Sequence, residues 1–457
     1  MKVILTHAYF ICEDSLEQSI MKPYVPLGIL SISSYLEQQD IPHDVIDNTF
    51  SNFDIFTKLL DEKKPDLIAI YTNLMTKLNV LKIINYIKSN PSLTNSKIVL
   101  GGPEVRNHAD NFLKYGADVL VIGEGEETFY EIVQHFSKSS TIPTSILGTA
   151  VLINKELHIN AERTLIKDIN LLAPPNRKKV DLHLYLNAWK NRHGYNTISV
   201  STMRGCPYTC KWCSRAVYGG TYRRRKPSLV VDELESIYKT YAPDRIWFVD
   251  DVFTISHKWL AEFAEEIEKR NLTISYEIIT RADRMNEEVI DLLKKSGCYK
   301  VWIGAESGSQ KIIDAMDRRV DVKEVREMIK LSQKKGIKAG TFIMLGYPGE
   351  TIDDIKETIF HLKDSAPDEY TVTIAYPITG TPLFNEIKNN ITTNFNWAES
   401  TDRDIDFKRQ HPRKFYEYAV RWVYNSVNIP KEKNLIRKFK FIIKSFVSRI
   451  VMQFYAR

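Results

Sequence analysis

The chain has 457 residues, 43% hydrophobic and 26% charged, which is enough for roughly two to four globular domains at the usual ~150 residues each. Five cysteines, three of them clustered, do not make a disulfide framework, no apolar run approaches the ~20 residues needed to cross a bilayer, and the start MKVILTHAYF lacks the marks of a signal peptide, so a reducing cytoplasm is expected. The net charge of +6 is local: residues 431–457 carry eight Lys or Arg against one Glu, so residues 1–430 sum to −1, which argues against an extended nucleic-acid footprint on the main domains.

Residues 1–140 alternate between strand and helix patterns. KVILTHA is a short apolar strand, PLGILSISSYLEQQ has helical spacing with Pro26 at its entrance, and HDVIDN and DLIAIYT are strands. LNVLKIINYIKSN is a helix, and KIVLGG and DVLVIGEGE are strands that end in glycine turns. Strands separated in this way predict a doubly wound parallel sheet of Rossmann type, whose ligands lie at the C-terminal strand ends. The turns there are Gly101 and Gly102 in GGPE, and Gly123, Glu124 and Gly125 in GEGEET. Each can let a large ligand approach the backbone or simply turn the chain. Neither matches G-x-G-x-x-G, so a nicotinamide dinucleotide is not expected.

Residues 141–190, with LLAPPNRKK, have weak periodicity and read as a linker. From 191 to 392 a second alternation begins. Its strands are TISVSTMRG, RIWFVDD, SYEIITRAD, KVWIGAESGS, AGTFIMLGYPGE and EYTVTIAYP, with a helical pattern between each pair. Six such units predict a full or partial (β/α) barrel, with chemistry in the loops after the strands. That rim receives Asp250 and Asp251, Arg281 and Asp283, Glu306 and Ser307, Gly346 and Glu350, and Tyr376.

Residues 393–457 complete a helical C-terminal region. In its basic tail Ile436, Phe439, Ile443, Phe446 and Ile450 share one helical face, while Arg437, Lys438, Lys440 and Lys444 are expected on another. Such a helix can lie on an anionic membrane or pack its apolar face on the barrel.

The loop after the first barrel strand reads GCPYTCKWC. Closely spaced thiolates bind zinc or iron–sulfur clusters. A structural zinc site wants four closed ligands, and here only Cys298 remains to be recruited alone. A four-iron cubane on Cys206, Cys210 and Cys213 would leave one iron open to a substrate or cosubstrate, which is a catalytic feature.

The pattern Cys206-x-x-x-Cys210-x-x-Cys213, with an aromatic Trp212 before the last cysteine, resembles the radical S-adenosylmethionine superfamily. WFVDDVFT, ITRAD, WIGAESGSQ, GTFIMLGYPGET and AYPITGTPLF resemble that family's strand ends in order, over roughly residues 195–390. PYVPLGILSISSYLE, IVLGGPE and VLVIGEGEETFYEI are similar to the cobalamin-binding domain that precedes the barrel in a large subclass. Asp-x-His-x-x-Gly, the motif in which a protein histidine ligates cobalt, is absent.

The resemblance implies a [4Fe-4S] cluster on the three cysteines, S-adenosylmethionine on its open iron, and cobalamin in the first domain. It implies Trp212 near the adenine, Glu306 and Ser307 near the ribose, Arg281 at the cosubstrate carboxylate, and one of Asp250 and Asp251 at the methionyl amine. Glu306 and Arg281 could instead form a structural ion pair. Gly346 permits close passage of the chain, Tyr376 is a candidate hydrogen donor, and YRRRK (222–226) is a solvated loop or an anionic-substrate contact. Cys12 and Cys298 are expected to be ordinary buried thiols.

The implied reaction is reductive cleavage of S-adenosylmethionine to a deoxyadenosyl radical that takes hydrogen from a small-molecule or lipid substrate, with C-methylation expected. A flavodoxin or ferredoxin would supply electrons. A cobalamin-free dehydratase, cyclase or rearrangement enzyme and a non-catalytic redox or corrinoid sensor are alternatives. A tRNA methylthiotransferase fits poorly, because the first domain has only Cys12.

Overall fold

The computed structural model describes residues 1–456. Its contacts gather into two units, one of Met1–Pro207, Ser214–Arg245 and Phe395–Arg403, the other of Tyr208–Cys213, Ile246–Asn394 and Asp404–Arg457.

The first unit is built on β1 (Val3–His7), β2 (Asp44–Ile46), β3 (Leu67–Tyr71), β4 (Lys97–Gly101), β5 (Val119–Val121), β6 (Thr149–Ile153) and β7 (Glu156–Ile159), in the order β2-β1-β3-β4-β5-β6-β7. The first five pair in parallel. Continuous apolar runs such as LIAIY and KIVLG suit strands covered on both faces. Helices Phe53–Lys63 and Ala109–Tyr115 complete crossovers that the sequence pattern leaves unassigned. Ile68, Ile98, Leu100 and Leu120 pack with Val80, Ile84 and Phe112 in the core.

Residues 141–190, expected to be a linker, instead extend this sheet with the antiparallel strands β6 and β7 and add helix Leu182–His193. Ile153 pairs with Glu156, and Asn154 and Lys155 between them both have positive φ (51° and 68°). That is the two-residue turn whose twist suits a hairpin.

Phe395–Arg403 also belongs to the first unit. Trp397 meets Phe112 edge-on at 4.8 Å between ring centroids, and the fully buried Lys77 ammonium donates to the Trp397 and Ser400 carbonyls.

The remaining strands are β8 (Thr197–Val200), β9 (Met203–Arg204), β10 (Arg223–Arg224), β11 (Arg245–Phe248), β12 (Tyr276–Thr280), β13 (Cys298–Glu306), β14 (Lys338–Leu345) and β15 (Glu369–Ile374). The β9–β10 pair is a separate ribbon, and the large sheet has the order β15-β14-β13-β12-β11-β8, with all pairings from β11 to β15 parallel. With a helix in each crossover, this is the expected partial (β/α)6 arrangement.

Its helices start where side chains cap free N–H groups: Ser256, Asn286, Asp321 and Thr351 each accept from the first turn. Gly340 makes room for Trp302, whose ring lies 2.5 Å from where a Cβ would stand. Helix Arg413–Lys431 covers the edge strand, with Tyr424 accepting from Val372 N at 3.2 Å.

Helix Leu435–Phe454 packs on helix Arg413–Lys431 through Ser448, Met452 and a Ser445–Ser426 hydroxyl contact of 2.8 Å. The apolar face that the sequence offers for packing on the barrel is exposed instead. Among the described residues, no helix is long and apolar enough to cross a membrane.

Candidate functional site

The cysteine loop begins at Gly205, whose φ of +83° and position beside Thr221 O, 2.4 Å from an added Cβ, leave no room for another residue. Cys206 follows, half-buried; Cys210 is buried and Cys213 exposed. Lys211 pins the second part of the loop: its N–H donates to Met316 O at 3.1 Å and its carbonyl accepts from Leu383 N at 2.9 Å. A mononuclear zinc site draws its sulfurs to ~2.3 Å from one point. Among the described residues, no three His, Cys, Asp or Glu side chains gather closely enough to hold a metal ion of any kind as they stand.

The other two thiols divide. Cys298 is buried as expected, and burial pushes its thiol up. Cys12, expected to be buried, is exposed, with its sulfur 3.1 Å from Ser51 O, because it sits in a surface turn after β1.

Two guanidiniums face the Cys210 sulfur. Arg281 Nη1 and Arg318 Nη1 each lie 3.7 Å from Sγ, where either can donate to the sulfur. Arg281 is buried and held by Asp283 at 2.8 Å and by the Arg318 carbonyl at 2.8 Å, with its guanidinium 3.8 Å over the Tyr208 ring.

The Arg281–Glu306 ion pair, the alternative to their cosubstrate roles, does not form. Glu306 pairs instead with Arg318 at 3.7 Å, a residue sequence reasoning missed. Glu306 is left-handed at φ 65°, at a bulge between β13 and β14. Such strain in a non-glycine residue marks functional positions. Burial raises its carboxyl above the usual range, against the pull of Arg318 and Arg281.

Asp250 is buried and Asp251 exposed, as the alternation of side chains after a strand predicts. Ser307 is buried, accepts from Ser309 N at 3.1 Å and faces Thr358 Oγ1 at 3.4 Å, so its partners are the protein's own. Trp212 packs on Ile312, Met316, Tyr347 and Leu383, with Arg318 5.8 Å from its ring centre. Gly346 has φ +80° and donates to Glu350 at 2.5 Å, while Arg409 Nε donates to its carbonyl at 3.1 Å. Tyr376 is half-buried beyond β15, next to Ala375, whose carbonyl accepts from Arg409 at 2.6 Å.

In the first unit the two glycine turns differ. At Gly102 (φ +112°) a Cβ would lie 2.3 Å from Thr72 O; at Gly123 (φ +92°) nothing lies closer than 3.8 Å. Gly101 has space to 3.8 Å, and Gly125 faces Ile32 at 2.9 Å at the start of helix Glu126–Lys138.

Glu124, expected to contact a cofactor, is fully engaged by the protein: Arg204, Arg223 and Ile166 N each donate to its carboxylate at 2.8 Å. YRRRK is neither a solvated loop nor a free anion site. Arg223 serves Glu124, Arg224 donates to Thr202 Oγ1 at 3.0 Å, and Arg225 pairs with the buried Glu233. Thr72 Oγ1, beyond β3, is buried with no hydrogen-bond partner, and Glu104 Oε1, beyond β4, has only His108 Nε2 near it, at 3.5 Å. Burial and the nearby Asp402 raise Glu104 to about 7, against Lys77. His7 is committed to Asp47 at 2.9 Å.

The first unit carries a mostly parallel sheet of Rossmann type, and the loop after β8 carries the three clustered cysteines. The radical SAM superfamily model matches residues 200–362, and the B12 binding domain model matches residues 19–133. The chain belongs to the radical SAM superfamily, in the cobalamin-dependent class with an N-terminal B12 binding domain.

It is 28% identical to an uncharacterised methyltransferase of Pyrococcus horikoshii over 97% of both chains. It is 27% identical to the anaerobic magnesium-protoporphyrin IX monomethyl ester cyclase of Cereibacter sphaeroides over 73% of this chain and 55% of that protein. The cobalamin-dependent S-adenosylmethionine radical enzyme OxsB with aqua-cobalamin bound shares the fold, with a TM-score of 0.76, 17% identity, and coverage of 99% of this chain and 72% of that one.

The cofactors of the class are a [4Fe-4S] cluster, S-adenosylmethionine and cobalamin. The residues present fit them. Three thiols leave a fourth iron open, and the guanidiniums beside Cys210 offset cluster charge. The open space at Gly123 and the unpaired hydroxyl of Thr72 would suit the carboxamide rim of a corrin.

Proposed function

We propose that the protein transfers a methyl group to an unactivated carbon of a small-molecule or lipid substrate. The reading is carried by the correspondence with the Pyrococcus horikoshii methyltransferase, which runs the length of both chains. When bound, the cofactors supply a transferable methyl group and a deoxyadenosyl radical.

In this reading the chain's own residues hold and shield them. Cys206, Cys210 and Cys213 ligate the cluster. Arg318 and Arg281 neutralise its charge, and Arg318 also positions Glu306 toward the ribose of the cosubstrate. Asp250, the buried member of its pair, faces the methionyl amine. Trp212 closes the loop against the core and keeps water from the adenine. Tyr376 lies where a substrate radical could be quenched. A flavodoxin or ferredoxin supplies the electrons.

Anaerobic incubation of the reconstituted protein with S-adenosylmethionine and a chemical reductant, followed by mass spectrometry, tests the reading. Deoxyadenosine, S-adenosylhomocysteine and bound corrinoid together support it; absence of deoxyadenosine sinks it. The similarity to the protoporphyrin ester cyclase favours a second reading, ring formation or another rearrangement without methyl transfer. Deoxyadenosine without S-adenosylhomocysteine would select that one.

A further inference from the structure

Helix Leu435–Phe454 contains five basic residues and no acidic one. Its large apolar side chains point outward: Leu435 is 81% exposed, Ile436 70%, Phe439 63%, Phe446 65% and Phe454 73%. At 100° per residue these, with Ile442, Ile443, Val447 and Ile450, sweep an arc of about 140°. The opposite side seats the helix on Arg413–Lys431 through Phe441, Ser445, Ser448 and Met452, with Arg449 over the Trp422 ring and Tyr455 stacked on Tyr418, and leaves the larger apolar arc uncovered. A helix evolved to pack on the protein would bury the larger face.

The charges border that face on both sides. Arg437, Lys440 and Lys444 run along one edge, and Lys438 and Arg449 along the other. None of the five is ion-paired with an acidic side chain among the described residues, although other surface lysines are, as Lys330 is with Asp364 at 2.9 Å. The rest of the chain is near neutral, so this charge is not a property of the whole surface. An exposed apolar patch of this size on a soluble protein marks an interaction site. A basic border selects an anionic surface with an apolar layer beneath it.

We infer that helix Leu435–Phe454 is an in-plane anchor that lays its phenylalanine and isoleucine face into an anionic phospholipid surface, with the flanking lysines and arginines at headgroup level. The anchor stands whatever reaction the protein catalyses.

Flotation of the full chain with vesicles tests it without any cofactor. Vesicles of phosphatidylcholine alone are compared with vesicles containing one-third phosphatidylglycerol. The expected result is at least tenfold stronger binding to the anionic vesicles, weakened by high salt. The double variant Phe439→Glu/Phe446→Glu should lose it tenfold or more. The triple variant Arg437→Gln/Lys440→Gln/Lys444→Gln should bind both vesicles alike. Every altered side chain is at the surface, and an unchanged melting temperature verifies the fold of each variant. Equal or absent binding of the unmodified chain overturns the inference. A concentration-dependent dimer that the double variant dissolves, with no vesicle binding, overturns it in favour of a second copy on this face.

Discussion

Arg318 sets one guanidinium nitrogen 3.7 Å from the Cys210 sulfur, and a second nitrogen of the same group lies 3.7 Å from Glu306 Oε1. One guanidinium thus faces a sulfur and a carboxylate at once. Arg318→Gln should slow deoxyadenosine formation about 10- to 100-fold, with iron and sulfide content largely retained, and Arg318→Lys should recover part of the rate. Anaerobic chromatography of the products against metal analysis checks both.

Arg318 also shows where the sequence stops being legible. The three cysteines announced themselves by spacing, and strand ends such as WIGAE by their apolar run into a polar residue. Arg318 follows a short helix in the run MDRRV and has no pattern to separate it from Arg319, which is exposed and pairs with Asp317. Only the turn after Gln310–Ala315 decides which arginine goes inward. Glu124 misled for the converse reason: a carboxylate between two glycines looks like a ligand contact, but its partners Arg204 and Arg223 are 80 and 99 residues away. The β6–β7 hairpin was readable from its alternation around Asn154 and Lys155, yet the prolines that follow hid it.

Glu350 gives the protein a pH dependence. It is fully buried, one oxygen accepts from Gly346 N, and the other has no partner; burial pushes its carboxyl up to about 8. A group whose folded value lies above its ordinary 4.5 binds its proton more tightly when folded, so its contribution is complete below that ordinary value and is lost as pH rises through about 8. The melting temperature of the cofactor-free protein should fall between about pH 4.5 and 8 and change little above that on account of this group. In Glu350→Gln that fall should shrink by on the order of 5 °C.

Glu233 is buried between Arg177, at 2.5 Å, and Arg225. Burial opposes its ionisation, but the two guanidiniums hold its carboxyl below the usual range. Glu233→Gln leaves two buried cations with one neutral partner and should cost about 3–5 kcal/mol. The shift of the denaturant midpoint measures it.

The glycine turns of the first unit should separate fold from ligand. Gly102→Ala meets Thr72 O as well as backbone strain, and should lose about 1–3 kcal/mol. Gly123→Ala meets no atom within 3.8 Å, so it should lose less stability while retaining less corrinoid after reconstitution. Calorimetry and the visible absorbance of the loaded protein give the two numbers.

The return of Phe395–Arg403 to the first unit has a consequence for biogenesis. Lys77 receives the Trp397 and Ser400 carbonyls only after more than three hundred further residues have been made. At ~5–20 residues per second, a nascent chain spends tens of seconds with that ammonium group unsealed. The amino-terminal sheet can assemble early on the ribosome, but the Lys77 ammonium is closed off only once Ser400 has been made.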